Sequence, residues 1–164
     1  CYSYEPVPEG VDPKYILGGQ GNLWTEQIPT LRHAEYMTWP RGWALAEVFW
    51  SPAEKKNWSD FVQRVETQFD RNEIAGINYS RAVYDPIITT STQNGKRILE
   101  IESEMPGLDI YYTIDDAMPD NFTAKYTAPV ELPEGPVTLR VITYSNGKPI
   151  GHLITLKPED LKKR

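Results

Sequence analysis

The hydrophobic period of this chain changes near Tyr84, and that change constrains the fold more than any other feature. Before it, apolar residues recur at intervals of three and four; after it, they alternate. One period suits helices packed by a single face, the other suits half-buried strands. All five tryptophans (Trp24, Trp39, Trp43, Trp50 and Trp58) lie ahead of the change, while tyrosine, threonine and β-branched residues dominate behind it. With 164 residues there is room for two small domains. The expected division is 1–83 and 84–164, in an α+β chain with no internal repeat.

Residues 1–14 hold Pro6, Pro8, Pro13 and Gly10 and read as irregular. Tyr2 and Tyr4 there are expected to pack rather than meet a ligand. Thr30 is the expected N-cap of a helix, and Pro40 should kink or divide it, because proline lacks the donor and crowds the preceding turn. Arg41 and Glu47 fall on an otherwise apolar helix, so each needs a hydrogen-bonded partner, and a structural role is expected of both. Ser51-Pro-Ala-Glu54 reads as a capping box. Trp58, Phe61, Val62, Val65 and Phe69 then mark one face of an amphipathic helix ending near Ile74, with Gly76 as its terminator.

Short strand-like runs follow over 86–90, 97–102, 110–114, 126–132, 137–144 and 150–156. Turn signals separate them, notably Asn94-Gly95, Pro106-Gly107, Pro119-Asp120, Pro133-Glu-Gly135 and Asn146-Gly147. That spacing predicts a small antiparallel β-sandwich.

The stretch with most chemical content is Tyr15-Ile-Leu-Gly-Gly-Gln-Gly-Asn-Leu-Trp-Thr-Glu26. Its apolar start predicts a buried strand, and Gly18, Gly19 and Gly21 allow another backbone, a ring or a ligand to come close. Residues two apart share a face of an extended segment, so Trp24 and Glu26 would point into one space. An apolar ring beside a hydrogen-bond acceptor suits a sugar. The same pair also suits a core tryptophan beside a salt-bridged surface glutamate.

Two runs carry a resemblance: Ile16-Leu-Gly-Gly-Gln-Gly-Asn-Leu-Trp-Thr-Glu26 and Glu35-Tyr-Met-Thr-Trp-Pro-Arg-Gly-Trp-Ala-Leu-Ala-Glu-Val-Phe-Trp-Ser51. Together they resemble the end of a family 20 glycoside hydrolase barrel, that of the β-N-acetylhexosaminidases. The likeness covers roughly residues 1–80 and implies the last strand and helices of a (β/α)8 barrel. It further implies that Trp24 lines the sugar pocket and that Glu26 accepts hydroxyls of the same sugar. Residues 110–143 resemble the immunoglobulin-like C-terminal domain of chitobiases and hexosaminidases, although Asp115-Asp116 replaces the usual Asp-Gly turn.

In that family the substrate's own acetamido group is the nucleophile, and the general acid is the glutamate of an adjacent Asp-Glu pair. No Asp-Glu dipeptide occurs here; Asp115-Asp116 and Glu159-Asp160 lie in the wrong context. The chain is therefore expected to be the C-terminal part of such an enzyme, inactive alone, with no catalytic residue of its own. The expected partners are an N-acetylhexosamine-containing glycan and the rest of the barrel. Residues 15–24, as an orphaned strand, would be disordered, pair with another chain in self-association, or dock on the helices. The resemblance also implies a periplasmic or extracellular location.

Other classes find little support. A net charge of −6 with no basic stripe argues against nucleic acid, and Lys55-Lys56 and Lys162-Lys163-Arg164 are short enough to be solvated faces. No apolar run approaches the ~20 residues of a membrane span. Cys1 alone cannot form an internal disulfide. His33 and His152 fall in different expected domains, so no metal or cofactor is expected, and no phosphate-loop pattern follows the glycines. Asn57, Asn78 and Asn121 begin formal glycosylation sequons. The alternatives are a non-catalytic carbohydrate-binding module using Tyr111, Tyr112 or Tyr126, and a module that braces the barrel's last helix. For the sheets alone the structural role is preferred.

Overall fold

A computed structural model describes residues 1–161, so the terminal basic cluster Lys162-Lys163-Arg164 lies outside the described residues. The chain falls into two compact units, Cys1–Ser80 and a second beginning at Arg81. The first contains helices and short turns; the second contains antiparallel sheets.

In the first unit, α1 (Leu31–Thr38) starts where Thr30 accepts a hydrogen bond from the His33 amide at 3.2 Å. Pro40, behind a cis Trp39–Pro40 bond, divides the helix as expected, and α2 (Arg41–Trp50) begins immediately after it. Arg41 is exposed rather than buried, and its guanidinium donates to the carbonyls of Tyr36 and Met37, the free acceptors at the end of α1. The expected capping box does not form. Pro52 gives no side-chain cap, and Ala53–Lys55 is a single 3-10 turn.

Helix α3 (Trp58–Ala75) is capped by Asn57, whose side chain accepts from the Asp60 amide at 3.1 Å. Phe61, Val62, Val65 and Phe69 are buried on the face the periodicity marked, and Trp58 is left partly exposed at its start. The helix ends at Gly76 with φ 69°, where the Gly76 amide donates to Glu73 and the Ile77 amide to Asn72. That pair of bonds is a Schellman motif, which requires the left-handed conformation glycine adopts without strain.

Rings join the helices: Trp39 stacks on Trp43 at 4.9 Å between centroids, Trp43 leans on Phe69, and Phe69 stacks on Tyr79 at 4.2 Å. The segment after α3 is tied back by the Asn78 amide donating to Glu35 at 2.9 Å and the Ser80 amide donating to the Trp39 carbonyl at 3.0 Å.

The strand expected over residues 15–24 is not formed. Pro13–Tyr15 is a 3-10 turn and residues 16–29 have no regular structure. A strand is held by its ladder, and the described residues of the first unit contain no strand to pair with. The segment lies instead against α2, with Gly19 beside Phe49 and Gly21 beside Leu45.

The described residues of the second unit form eight short strands: β1 (Pro86–Gln93), β2 (Lys96–Ser103), β3 (Asp109–Thr113), β4 (Ala124–Lys125), β5 (Val130–Glu131), β6 (Leu139–Ser145), β7 (Lys148–Pro149) and β8 (Ile154–Leu156). One sheet runs β1-β2-β5; the other runs β4-β3-β6-β7, with β8 also pairing β6. One apolar cluster draws on both sheets, with Ile88, Leu99 and Ile101 from the first and Ile110, Leu139, Val141 and Leu156 from the second. The turns at Asn94-Gly95 (φ 52° and 78°) and Asn146-Gly147 (φ 50° and 74°) have the paired positive φ of tight hairpin turns.

Two expected strands form only in part: of the run over 126–132 only Val130–Glu131 is strand, and of the run over 150–156 only Ile154–Leu156, while β4 and β7 lie just before those runs. Asp115-Asp116 does not close a tight hairpin, since β3 reaches its partner β4 only through residues 114–123.

Thr143 is fully buried and donates to the Tyr84 carbonyl at 2.5 Å. Gly151 crosses this bond so closely that a Cβ would collide with both Thr143 Oγ1 and the Tyr84 carbonyl. Gly151→Ala is expected to destabilise the second unit by about 1–3 kcal/mol, the usual cost of overpacking. Urea unfolding would show it as a lower midpoint with an unchanged slope.

Candidate functional site

Trp24 and Glu26 lie in the irregular segment between the Pro13–Tyr15 turn and α1. Both are exposed, Trp24 to 73 %. Neither takes part in a hydrogen bond, ion pair or ring contact among the described residues, so the salt-bridged core pair that the sequence left open is not what forms. Just beyond Trp24, the Ile28 amide donates to the Thr25 carbonyl at 3.0 Å and turns the chain toward α1.

The glycines fix where this segment runs. A Cβ on Gly19 would overlap the ring of Phe49, and one on Gly21 would meet Leu45 Cδ1 at 2.8 Å. Leu45 and Phe49 are four residues apart on α2 and so form one ridge. A groove of about 310 Å³ opens beside it, with Gly21, Asn22, Leu23, Arg41 and Leu45 among its walls. Neither Trp24 nor Glu26 lines it. A second groove, about 420 Å³, lies against α2 and α3 beside Trp50, which is 91 % exposed.

Glu47 stands at the wall of that second groove. Its side chain is 16 % exposed; the Tyr2 hydroxyl donates to one oxygen at 2.8 Å and Arg64 pairs with the other. The partners expected for this carboxylate are thus present, but they come from residues 45 and 17 positions away, which no local pattern reveals. Tyr2 packs as expected, its ring 4.8 Å from Phe61 and 5.2 Å from Trp58. Burial, and then the hydrogen bond to Glu47, push the Tyr2 phenol above its usual value.

The tyrosines of the second unit form no open platform. Tyr112 and Tyr126 pack against the apolar cluster, and Tyr111 meets Tyr144 edge-on at 5.1 Å. Among the described residues, no group of three or more His, Cys, Asp or Glu side chains could hold a metal ion, and no helix is long and apolar enough to cross a membrane.

Residues 1–53 match the family described as "Glycosyl hydrolase family 20, catalytic domain". The N-terminal third of this chain is family 20 glycosyl hydrolase sequence. This family 20 portion contains Trp24 and Glu26 as well as α1 and α2. Residues 99–157 match a second family, described as "Fn3 associated". A "Beta-hexosaminidase" of Porphyromonas gingivalis is 31 % identical over 149 residues, which is 87 % of this chain and 19 % of that protein. A "Beta-hexosaminidase" of Akkermansia muciniphila is 34 % identical and a "Beta-N-acetylhexosaminidase" of Cellulomonas fimi 37 % identical, each over 68 residues. Each of these two alignments covers 40 % of this chain and 14 % of the relative. The chain thus spans no more than about a fifth of the length of the curated relatives it matches.

Tyr2→Phe is expected to cost about 1 kcal/mol at pH 8, the usual net value of one hydrogen bond. A phenol whose folded pKa is raised contributes stability below its unfolded value, and that contribution is lost as pH rises past it. The advantage of the wild type over Tyr2→Phe should therefore shrink above about pH 10, measured by denaturant titration at several pH values.

Proposed function

We propose that this chain supplies sugar contacts to a β-N-acetylhexosaminidase, with Trp24 stacking on the apolar face of an N-acetylhexosamine and Glu26 accepting from its hydroxyls. The observation that carries the reading is that the family 20 match includes both residues and that both side chains are exposed without a protein partner. An indole buried against a sugar ring is worth about 1.5–3 kcal/mol by area. A hydroxyl donating to a desolvated carboxylate adds about 1.5–3 kcal/mol. These contacts orient a sugar and do not cleave it.

Proton transfer is assigned to residues outside this sequence, which has no Asp-Glu pair. The reaction would be retaining, with the substrate's acetamido group as the nucleophile. On this reading residues 1–80 pack against the rest of a catalytic barrel, the second unit acts as an immunoglobulin-like brace, and the enzyme works in the periplasm or outside the cell. The exposure of Tyr15 (71 %), Leu17 (101 %) and Leu31 (75 %) supports the packing, since covering large apolar side chains removes apolar surface from water and is favourable.

Within the intact protein, Trp24→Ala and Glu26→Gln should each lower kcat/KM on a chromogenic N-acetylhexosaminide by about tenfold to a hundredfold. Thermal unfolding should be unchanged, because neither side chain is packed. Wild-type kinetics in both variants would remove these residues from the site.

A further inference from the structure

The loop that leaves β3 in the second unit is built around one arginine. The Thr113 hydroxyl donates to the Ala117 carbonyl at 2.6 Å, the Ala117 amide to the Asp115 carboxylate at 3.3 Å, and the Asp116 amide to the Thr138 carbonyl at 3.4 Å. Asp116 has φ 67°, in the left-handed region that residues other than glycine seldom occupy. Arg140 on β6 holds this bend from the side. Its Nη2 pairs with Asp116 at 2.7 Å, and its Nη1 donates to the Met118 sulfur at 3.2 Å. A thioether sulfur is a weak acceptor, so one donor of a charged guanidinium is matched with a poor partner.

We propose that Met118 is an oxidation site, at which hydrogen peroxide converts the thioether to a sulfoxide whose oxygen takes over the hydrogen bond from Arg140. Sulfur attacks one peroxide oxygen, the S–O bond forms as the O–O bond breaks, and the other oxygen leaves as water after proton transfer. Sulfur gives up two electrons and the peroxide takes them. Exposure selects the residue: Met118 is 60 % exposed, Met37 is half-buried and Met105 is only 3 % exposed. Arg140 then decides what oxidation does. A sulfoxide is polar, and a charge-assisted bond to oxygen is stronger than one to sulfur, so the oxidised loop is held more firmly at residues 116–118. Methionine sulfoxide reductases reverse the reaction, which makes the loop a redox-responsive element. None of this depends on sugar binding.

The test treats the intact protein with hydrogen peroxide and follows each methionine by peptide mass spectrometry. Met118 should be oxidised at least tenfold faster than Met105 and several-fold faster than Met37. Hydrogen exchange of a peptide covering residues 114–118 is then measured before oxidation, after it, and after reductase treatment. The Asp116 and Ala117 amides in that peptide are both hydrogen-bonded, so their opening is what exchange reads. Exchange should slow about fivefold on oxidation and recover on reduction. Peroxide should leave the exchange of Met118→Leu unchanged. Arg140→Leu should still be oxidised at Met118 yet show no slowing, because no guanidinium awaits the new oxygen. Should Arg140→Leu fold poorly, Met118→Leu and the reductase step still decide the matter. Oxidation of Met118 no faster than that of Met105, unchanged exchange in the oxidised wild type, or equal slowing in Arg140→Leu would each overturn the proposal.

Discussion

A carboxylate on an apolar helix must find partners or lose its charge, and the first unit is assembled around that requirement at Glu47. One oxygen takes the Tyr2 hydroxyl and the other takes Arg64, so a single side chain on α2 joins the start of the chain to α3. Arg64 is 56 % exposed, and solvent screening limits what its charge contributes. The more consequential effect is geometric. With residue 2 secured against Phe61 and Trp58, Tyr4 is brought to Phe49, and the chain is directed along the ridge of α2.

The segment that follows is held by shape rather than by a ladder. Gly19 and Gly21 let the backbone descend onto Phe49 and Leu45, while the side chains between and beyond them face outward. Such an arrangement leaves Trp24 and Glu26 exposed and without a protein partner among the described residues. The second unit solves a different problem. Its short strands cannot be stable singly, and residues from both sheets meet in one apolar cluster that buries what each sheet leaves exposed.

Local chemistry was mostly legible where the deciding partner lies within a few residues, although the capping box at Ser51 did not form and the Asn57 cap was not singled out. Thr30 and Asn57 cap helices because their oxygens reach an amide three residues on. Pro40 separates two helices because it cannot donate, and Gly76 ends one because it tolerates a positive φ. Asn94-Gly95 and Asn146-Gly147 turn hairpins for the same reason. The candidate site was legible as residue types: an indole and a carboxylate two positions apart, after glycines, in a run that resembles family 20. Its surroundings were not, because Phe49 on α2 reaches Gly19 only through tertiary packing.

By itself, then, the sequence determined the Thr30 cap, the Pro40 break, the Gly76 terminator, the hairpins at Asn94-Gly95 and Asn146-Gly147, the alternation of the sheets and the apolar face of α3, since each follows from contacts between near neighbours. Only the tertiary structure decided that residues 16–24 lie on α2 without forming a strand, that Glu47 is shared by Tyr2 and Arg64, and that two runs of alternation form only short strands. A hydrophobic run is equally content against a ladder or a helix, and a buried charge will accept any suitable donor. Which one it meets is set by distant parts of the chain arriving in the same space.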